Sequence, residues 1–140
     1  AHPVWKNFPT EYHSNLQWWE IANGAQVMHL EKMPTGLQPL IRSIDTWFMN
    51  RNLALVFEAK MGKGRLLVNS IDFSNKDKSP VLRQLHYSLM NYLLTAKHWS
   101  GVEVSPAMVR DLSGKSYRFV FDAYTKDSPD ELKPLKNVKQ

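Results

Sequence analysis

The chain contains no cysteine. Disulfides and thiolate metal sites are thereby excluded, and the absence is compatible with any compartment. No apolar run approaches the ~20 residues that span a bilayer, so no membrane span is expected. No basic, apolar leader opens the chain, which begins at Ala1 rather than Met. That start reads as a processed protein or as a piece cut from a longer one. Internal repeats and low-complexity tracts are missing. The histidines, His2, His13, His29, His86 and His98, lack the spacing of a helical zinc pair, so no metal is expected. No serine sits in a GxSxG elbow. Gly62-Lys63-Gly64 lacks the GxxxxGK[ST] spacing of a phosphate loop and falls between two strand-like runs, so it reads as a hairpin turn. No cofactor is implied.

What remains is the composition of an ordinary globular protein. The 140 residues are 43% hydrophobic, enough for one core without staples. The net charge of +5 is gathered around Lys60 to Arg65 and in the lysines from Lys126 onward. It reads as solubility charge, not as a nucleic-acid footprint. Residues 1–124 are expected to form one α/β domain, with 125–140 a linker or tail.

The stretch Asn52 to Phe73 organises the rest. Leu53 to Met61 and Arg65 to Phe73 are apolar runs around the Gly62-Lys63-Gly64 turn. Glycine on each side of a tight turn offers the positive φ that it requires. Leu53, Leu55, Phe57, Ala59 and Met61 alternate at period two, and Ala54 and Val56 make the other face apolar as well. Such runs predict strands covered on both sides. The expected fold class is therefore α/β: a mixed sheet with a central antiparallel hairpin and packed helices.

Around it, Leu16 to Ala22 predicts a short helix capped by Ser14 or Asn15 and stopped at Asn23-Gly24. Ala25 to Met33 predicts a strand, Met33 to Gly36 a turn, and Leu40 to Phe48 a strand in competition with a helix. Ser79-Pro80 is a cap followed by proline at the first helical position. Leu82, Leu85, Leu89 and Leu93 follow as a core stripe on a helix running to about Ala96, widened by Tyr92. Ser105-Pro106 repeats the signal for a helix from Pro106 to Leu112. Tyr117 to Tyr124 alternates as a last strand.

Chemistry-bearing groups are few. The carboxylates Glu11, Glu20, Glu31, Asp45, Glu58 and Asp72 offer candidates for an acid pair, which glycosidases hold ~5–10 Å apart in a cleft; Glu58 and Asp72 read equally well as strand-end or paired surface groups. The aromatic opening is more informative. Tyr12, Trp18, Trp19 and Glu20 lie close in sequence, and Trp47 follows the second predicted strand. Aromatic faces with polar neighbours suit a sugar ring; the more ordinary reading is that Trp18 and Trp19 straddle a short helix, one in the core and one against a neighbouring domain. Tyr12, Trp18, Trp19, Glu20 and Trp47 are the candidate carbohydrate- or partner-binding residues. No catalytic residue is assigned.

Three segments, Phe8 to Glu20 (FPTEYHSNLQWWE), Pro39 to Phe73 (PLIRSIDTWFMNRNLALVFEAKMGKGRLLVNSIDF) and Ser79 to Leu93 (SPVLRQLHYSLMNYL), resemble a region near the C-terminal end of large glycoside hydrolases of gut Bacteroidetes. These are family 2 and related β-galactosidase-like enzymes. The resemblance covers about residues 2 to 112. In such enzymes the catalytic acid and nucleophile lie in a separate barrel, and no segment here resembles that barrel. The resemblance thus implies a non-catalytic accessory domain, structural or assembly-related, of a periplasmic or extracellular enzyme acting on plant or host glycans. Its implied partners are the other domains of the parent enzyme, carbohydrate, or a second copy in a homo-oligomer. A carbohydrate-binding module and a small stand-alone hydrolase are the alternatives. The hairpin followed by a helix is also similar to the last part of class I glutamine-amidotransferase-like domains, flavodoxin-like in part. That fold's nucleophile cysteine has no counterpart here, and its early parallel strands are not evident, which counts against amidotransferase activity.

Overall fold

A computed structural model of the protein describes residues 2–11, 15–47, 49–97, 99 and 101–113. Tyr12, Ser14, the predicted strand 117–124 and the predicted tail 125–140 lie outside the described residues. A 3-10 helix over Pro3–Asn7 opens the chain, followed by α1 (Leu16–Ala22) and strands β1 (Met28–His29), β2 (Pro39–Ser43), β3 (Leu53–Met61) and β4 (Gly64–Asn69). Helix α2 (Pro80–Thr95), strand β5 (Val102–Glu103) and helix α3 (Pro106–Ser113) complete it. The fold is mixed α/β, as the apolar runs and capping signals predict.

All four other strands pair with β3. Ala54 faces Met28 of β1 and Arg42 of β2, while Ala59 faces Leu66 of β4 and Val102 of β5. Val56 faces Ile41 of β2 and Asn69 of β4. One edge of β3 therefore carries β1 and then β4, and the other carries β2 and then β5. Only β5 runs parallel to β3. Every residue from Leu53 to Ala59 is buried.

The hairpin is less symmetric than its sequence. β3 is the spine, but β4 is an edge strand with Leu66, Leu67 and Val68 only half-buried and Arg65 exposed. Among the described residues it has a neighbour on one side only, and its apolar residues are not all covered. Of the turn glycines only Gly62 takes a positive φ, 58°. A positive φ at the first loop position and not at the second, Lys63, is the signature of a type II′ turn.

Nor does period two run unbroken along β3. The pairs Ile41–Val56 and Arg42–Ala54 leave Leu55 as an extra residue, a β-bulge. A bulge shifts the phase of the alternation. Leu55 and Val56 both join the core beneath the 3-10 helix, α1 and α2, with Val4, Ile21, Leu85 and Leu89. Ala54, Phe57 and Ala59 belong to a second core on the other face, with Met28, Leu30 and Leu37, against which Met108 and Val109 of α3 pack. The same shift turns Glu58 toward α2.

Helix α2 follows its predicted stripe: Leu82, Leu85, Leu89 and Tyr92 are buried, and Leu93 is half-buried. Ser79 Oγ accepts from Leu82 N at 3.1 Å and donates to Glu20 Oε1 of α1. One hydroxyl caps one helix and ties it to another. Ser79→Ala is expected to cost about 1–2 kcal/mol, read as a shift of the urea midpoint. A loss within ~0.3 kcal/mol of zero would show that the cap is dispensable.

The strand predicted over 25–33 shrinks to β1, with Val27 exposed. The strand predicted over 40–48 ends at Ser43. β5 carries no signal in its own two residues. It depends on Gly101, where a Cβ would stand 2.7 Å from Ala59 Cα. Only glycine lets the chain begin a strand so close to β3.

Candidate functional site

Two regions carry chemistry. The first is an exposed face between α1 and β2. A groove of about 550 Å³ runs between them, lined by Asn15, Trp18, Trp19, Arg42 and Ile44, among others. Ile44 also lines a neighbouring cavity of about 460 Å³ with Arg42, Asp45, Trp47 and Arg51. Ile44 thus joins Trp19 to Trp47 in one strip. The exposures are high: 69% for Trp19, 93% for Ile44 and 91% for Trp47.

Trp47 stands between β2 and β3, in a segment whose ends are joined by Asp45 and Arg51. Asp45 Oδ2 accepts from Arg51 Nε at 2.6 Å and from Arg51 N at 2.9 Å, and Oδ1 accepts from Arg51 Nη2 at 2.9 Å. This forked pairing closes the loop. The Arg51 hydrogen bond holds the Asp45 carboxyl well below the usual carboxylate range. Asn50 takes φ 45°, a left-handed conformation that asparagine tolerates.

The sequence candidates are not brought together. Trp18 is drawn inward, its ring edge-on to Trp5 at 5.8 Å and to Phe8 at 5.7 Å between centroids. Glu20 does not line the groove, and its carboxylate accepts from Ser79 Oγ. Trp19 lines the groove and Trp47 the cavity beside it. Asn15 caps α1 by position but makes no side-chain cap bond, and its Oδ1 is buried without a hydrogen-bond partner. Tyr87 and Leu94 on α2 are also exposed, but line neither cavity.

The second region surrounds Glu58, only 6% exposed in the middle of β3. Tyr92 Oη donates to Glu58 Oε2 at 2.6 Å, and His2 Nε2 lies 3.5 Å from Oε1. His2 Nδ1 accepts from Val4 N at 3.3 Å, which places the proton of the neutral ring on Nε2. Tyr92 stacks on Trp99 at 5.0 Å, Arg65 lies over the Trp99 ring at 5.8 Å, and Trp99 Nε1 donates to Ala59 O at 3.0 Å. Burial pushes the Tyr92 phenol up, and its hydrogen bond to Glu58 adds to the shift. A cavity of about 460 Å³ adjoins the carboxylate, lined by His2, Trp5, Gln38 and Gly101, among others.

Sequence reasoning left Glu58 as a strand-end or paired surface group; it is neither. The signal was its setting, a lone charge between Phe57 and Ala59 inside the most apolar run. A buried charge is costly unless partnered. Each of the three cavities has a single carboxylate in its lining, Glu11, Glu58 or Asp45, so none holds an acid pair of glycosidase type among the described residues. Nor do three His, Asp or Glu side chains gather there as a metal site would require. No described helix is long and apolar enough to cross a membrane.

The family model described as "Domain of unknown function (DUF8487)" matches residues 1–114, and the chain belongs to that family. No curated protein matches the chain.

Proposed function

We propose that this member of the DUF8487 family is a non-catalytic accessory module of a periplasmic or extracellular glycoside hydrolase, docked on another part of that enzyme through its Trp19–Ile44–Trp47 face. The observation that carries the reading is the exposure of Ile44 and Trp47 on a loop closed by Asp45 and Arg51. Ile44 and Trp47 leave most of their apolar surface in water; covered by a partner, each would contribute about 1.5–3 kcal/mol. Tryptophan and arginine are enriched where interfaces bind most tightly, and Arg42 lies beside both residues. The resemblance of Phe8 to Glu20, Pro39 to Phe73 and Ser79 to Leu93 to the C-terminal region of family 2 enzymes supports the identity of the parent.

Docking accounts for the face better than an aromatic sugar platform does. Trp18 is half-buried, one side packed on Trp5 and Phe8, and Glu20 is engaged by Ser79. Trp19 is left beside the aliphatic Ile44.

The natural reading frame around this segment is expected to encode a catalytic barrel, and the isolated chain to turn over no nitrophenyl glycoside. Supplied in trans, the chain is expected to bind that barrel portion. The double substitution Ile44→Ala and Trp47→Ala should weaken binding at least about tenfold. Hydrolysis by the chain alone, or binding indifferent to both substitutions, would contradict the reading.

A further inference from the structure

We propose that the cavity beside Glu58 binds a neutral ligand with neighbouring hydroxyls and an apolar ring face, the chemistry of a pyranoside. The site exists because the sheet is split there. Pro39 begins β2 opposite Phe57, and Val102 begins β5 opposite Ala59. The two strands start on either side of residue 58 and run apart, so among the described residues that edge of β3 carries no strand at Glu58. Diverging strands open a crevice in the same way at the switch points of open α/β sheets. The crevice measures about 460 Å³, within the roughly 300–1,000 Å³ of small-molecule sites.

A carboxylate is an expensive choice at this position. Replacing buried ionic groups by apolar ones is often neutral or stabilising. Glu58 nevertheless interrupts an otherwise apolar run, 94% of it shielded by the fold, and lines the crevice where β2 and β5 diverge.

The lining groups select the ligand class. Glu58 accepts hydrogen bonds. His2 carries its proton on Nε2, 3.5 Å from Glu58 Oε1, because Nδ1 is engaged by Val4 N–H; a ligand hydroxyl between the two would accept from His2 and donate to Glu58. The Gln38 amide both donates and accepts. A ligand that meets this set must donate and accept over a short span, as hydroxyl groups do. An ammonium only donates, so it would leave the His2 Nε2–H and the Gln38 amide donors without an acceptor. A carboxylate or phosphate would face the charge of Glu58. Trp5 supplies an aromatic wall for the C–H face of a ring.

The site is separate from the docking strip. Of its lining residues only Leu40 also lines the groove beside Trp19, so either reading can fail without the other.

The test is saturation-transfer NMR on the intact chain with the methyl pyranosides of galactose, glucose and mannose, and methyl glucuronide as charged control. At least one neutral pyranoside is expected to bind saturably below about 50 mM. Glu58→Gln and Gln38→Ala should each weaken it about tenfold or more, and Trp47→Ala should leave it unchanged. The glucuronide should bind more weakly than its neutral counterpart. Gln38 is exposed, so its alanine variant decides the matter even if Glu58→Gln fails to fold. Absence of binding by all three neutral pyranosides would overturn the proposal. So would binding that Gln38→Ala leaves intact, or that only Trp19→Ala abolishes.

Discussion

Phe57→Ala is expected to lower the free energy of unfolding by about 3–5 kcal/mol, measured as a shift of the urea midpoint at unchanged slope. Phe57 is fully buried. It lies between Pro39 of β2 and Val68 of β4, and it faces the core that α3 closes. Truncation there removes apolar contacts and leaves a cavity that paired strands on both sides cannot collapse to fill. Leu67→Ala is the matched control. Leu67 faces Glu58 across the hairpin but is only half-buried on the edge strand, so its loss should be markedly smaller, about 1–2 kcal/mol. Equal losses would mean that the two strands are equally covered and that β3 is not the spine.

Tyr92→Phe is expected to cost about 2–3 kcal/mol at neutral pH. The ring and its stacking on Trp99 survive the substitution. What disappears is the phenol proton shared with Glu58 Oε2, and a buried carboxylate that loses a donor is costly. The alkaline limb supplies an independent signature. Burial, with help from Glu58, raises the Tyr92 phenol above its ordinary value of 10.0. The folded protein therefore keeps this proton after the unfolded chain has lost it. The corresponding stability is fully present below pH ~10 and declines as pH rises toward the folded value, by about 1.4 kcal/mol per pH unit. Wild type should lose that increment relative to Tyr92→Phe in chemical denaturation above pH ~10. An isostable variant, or parallel alkaline limbs, would show that the phenol does not hold the carboxylate.

Elements fixed by local chemistry are legible in the sequence. The bounds of α1 are those of the apolar stretch between Asn15 and Asn23. The start of α2 follows from Ser79-Pro80, and that of α3 from Ser105-Pro106. The bounds of β3 are those of its apolar run. What escapes is set by partners distant in the chain. The bulge at Leu55 arises from pairing with β2, and nothing in LALVFEAKM marks where the alternation changes phase. β5 needs Gly101 against Ala59. β4 reads like β3, yet it falls on the edge because no later strand covers it among the described residues.

The functional residues divide in the same way. Trp19 and Trp47 are conspicuous by type, and the structure places both on the surface. Trp18 has the same appearance but packs on Trp5 and Phe8, a choice made by the fold of the opening residues. Glu58 is a charge within an apolar run, but its meaning depends on His2 and Tyr92, brought to it from distant parts of the chain.

Hydrogen exchange compared between the isolated chain and the same residues within the proposed parent enzyme would show directly whether the Trp19–Ile44–Trp47 face is a docking surface. Amides of 16–20 and 42–47 should exchange more slowly in the parent enzyme, while those of 53–59 should be slow in both. Identical exchange of 16–20 and 42–47 in the two settings would contradict the docking role.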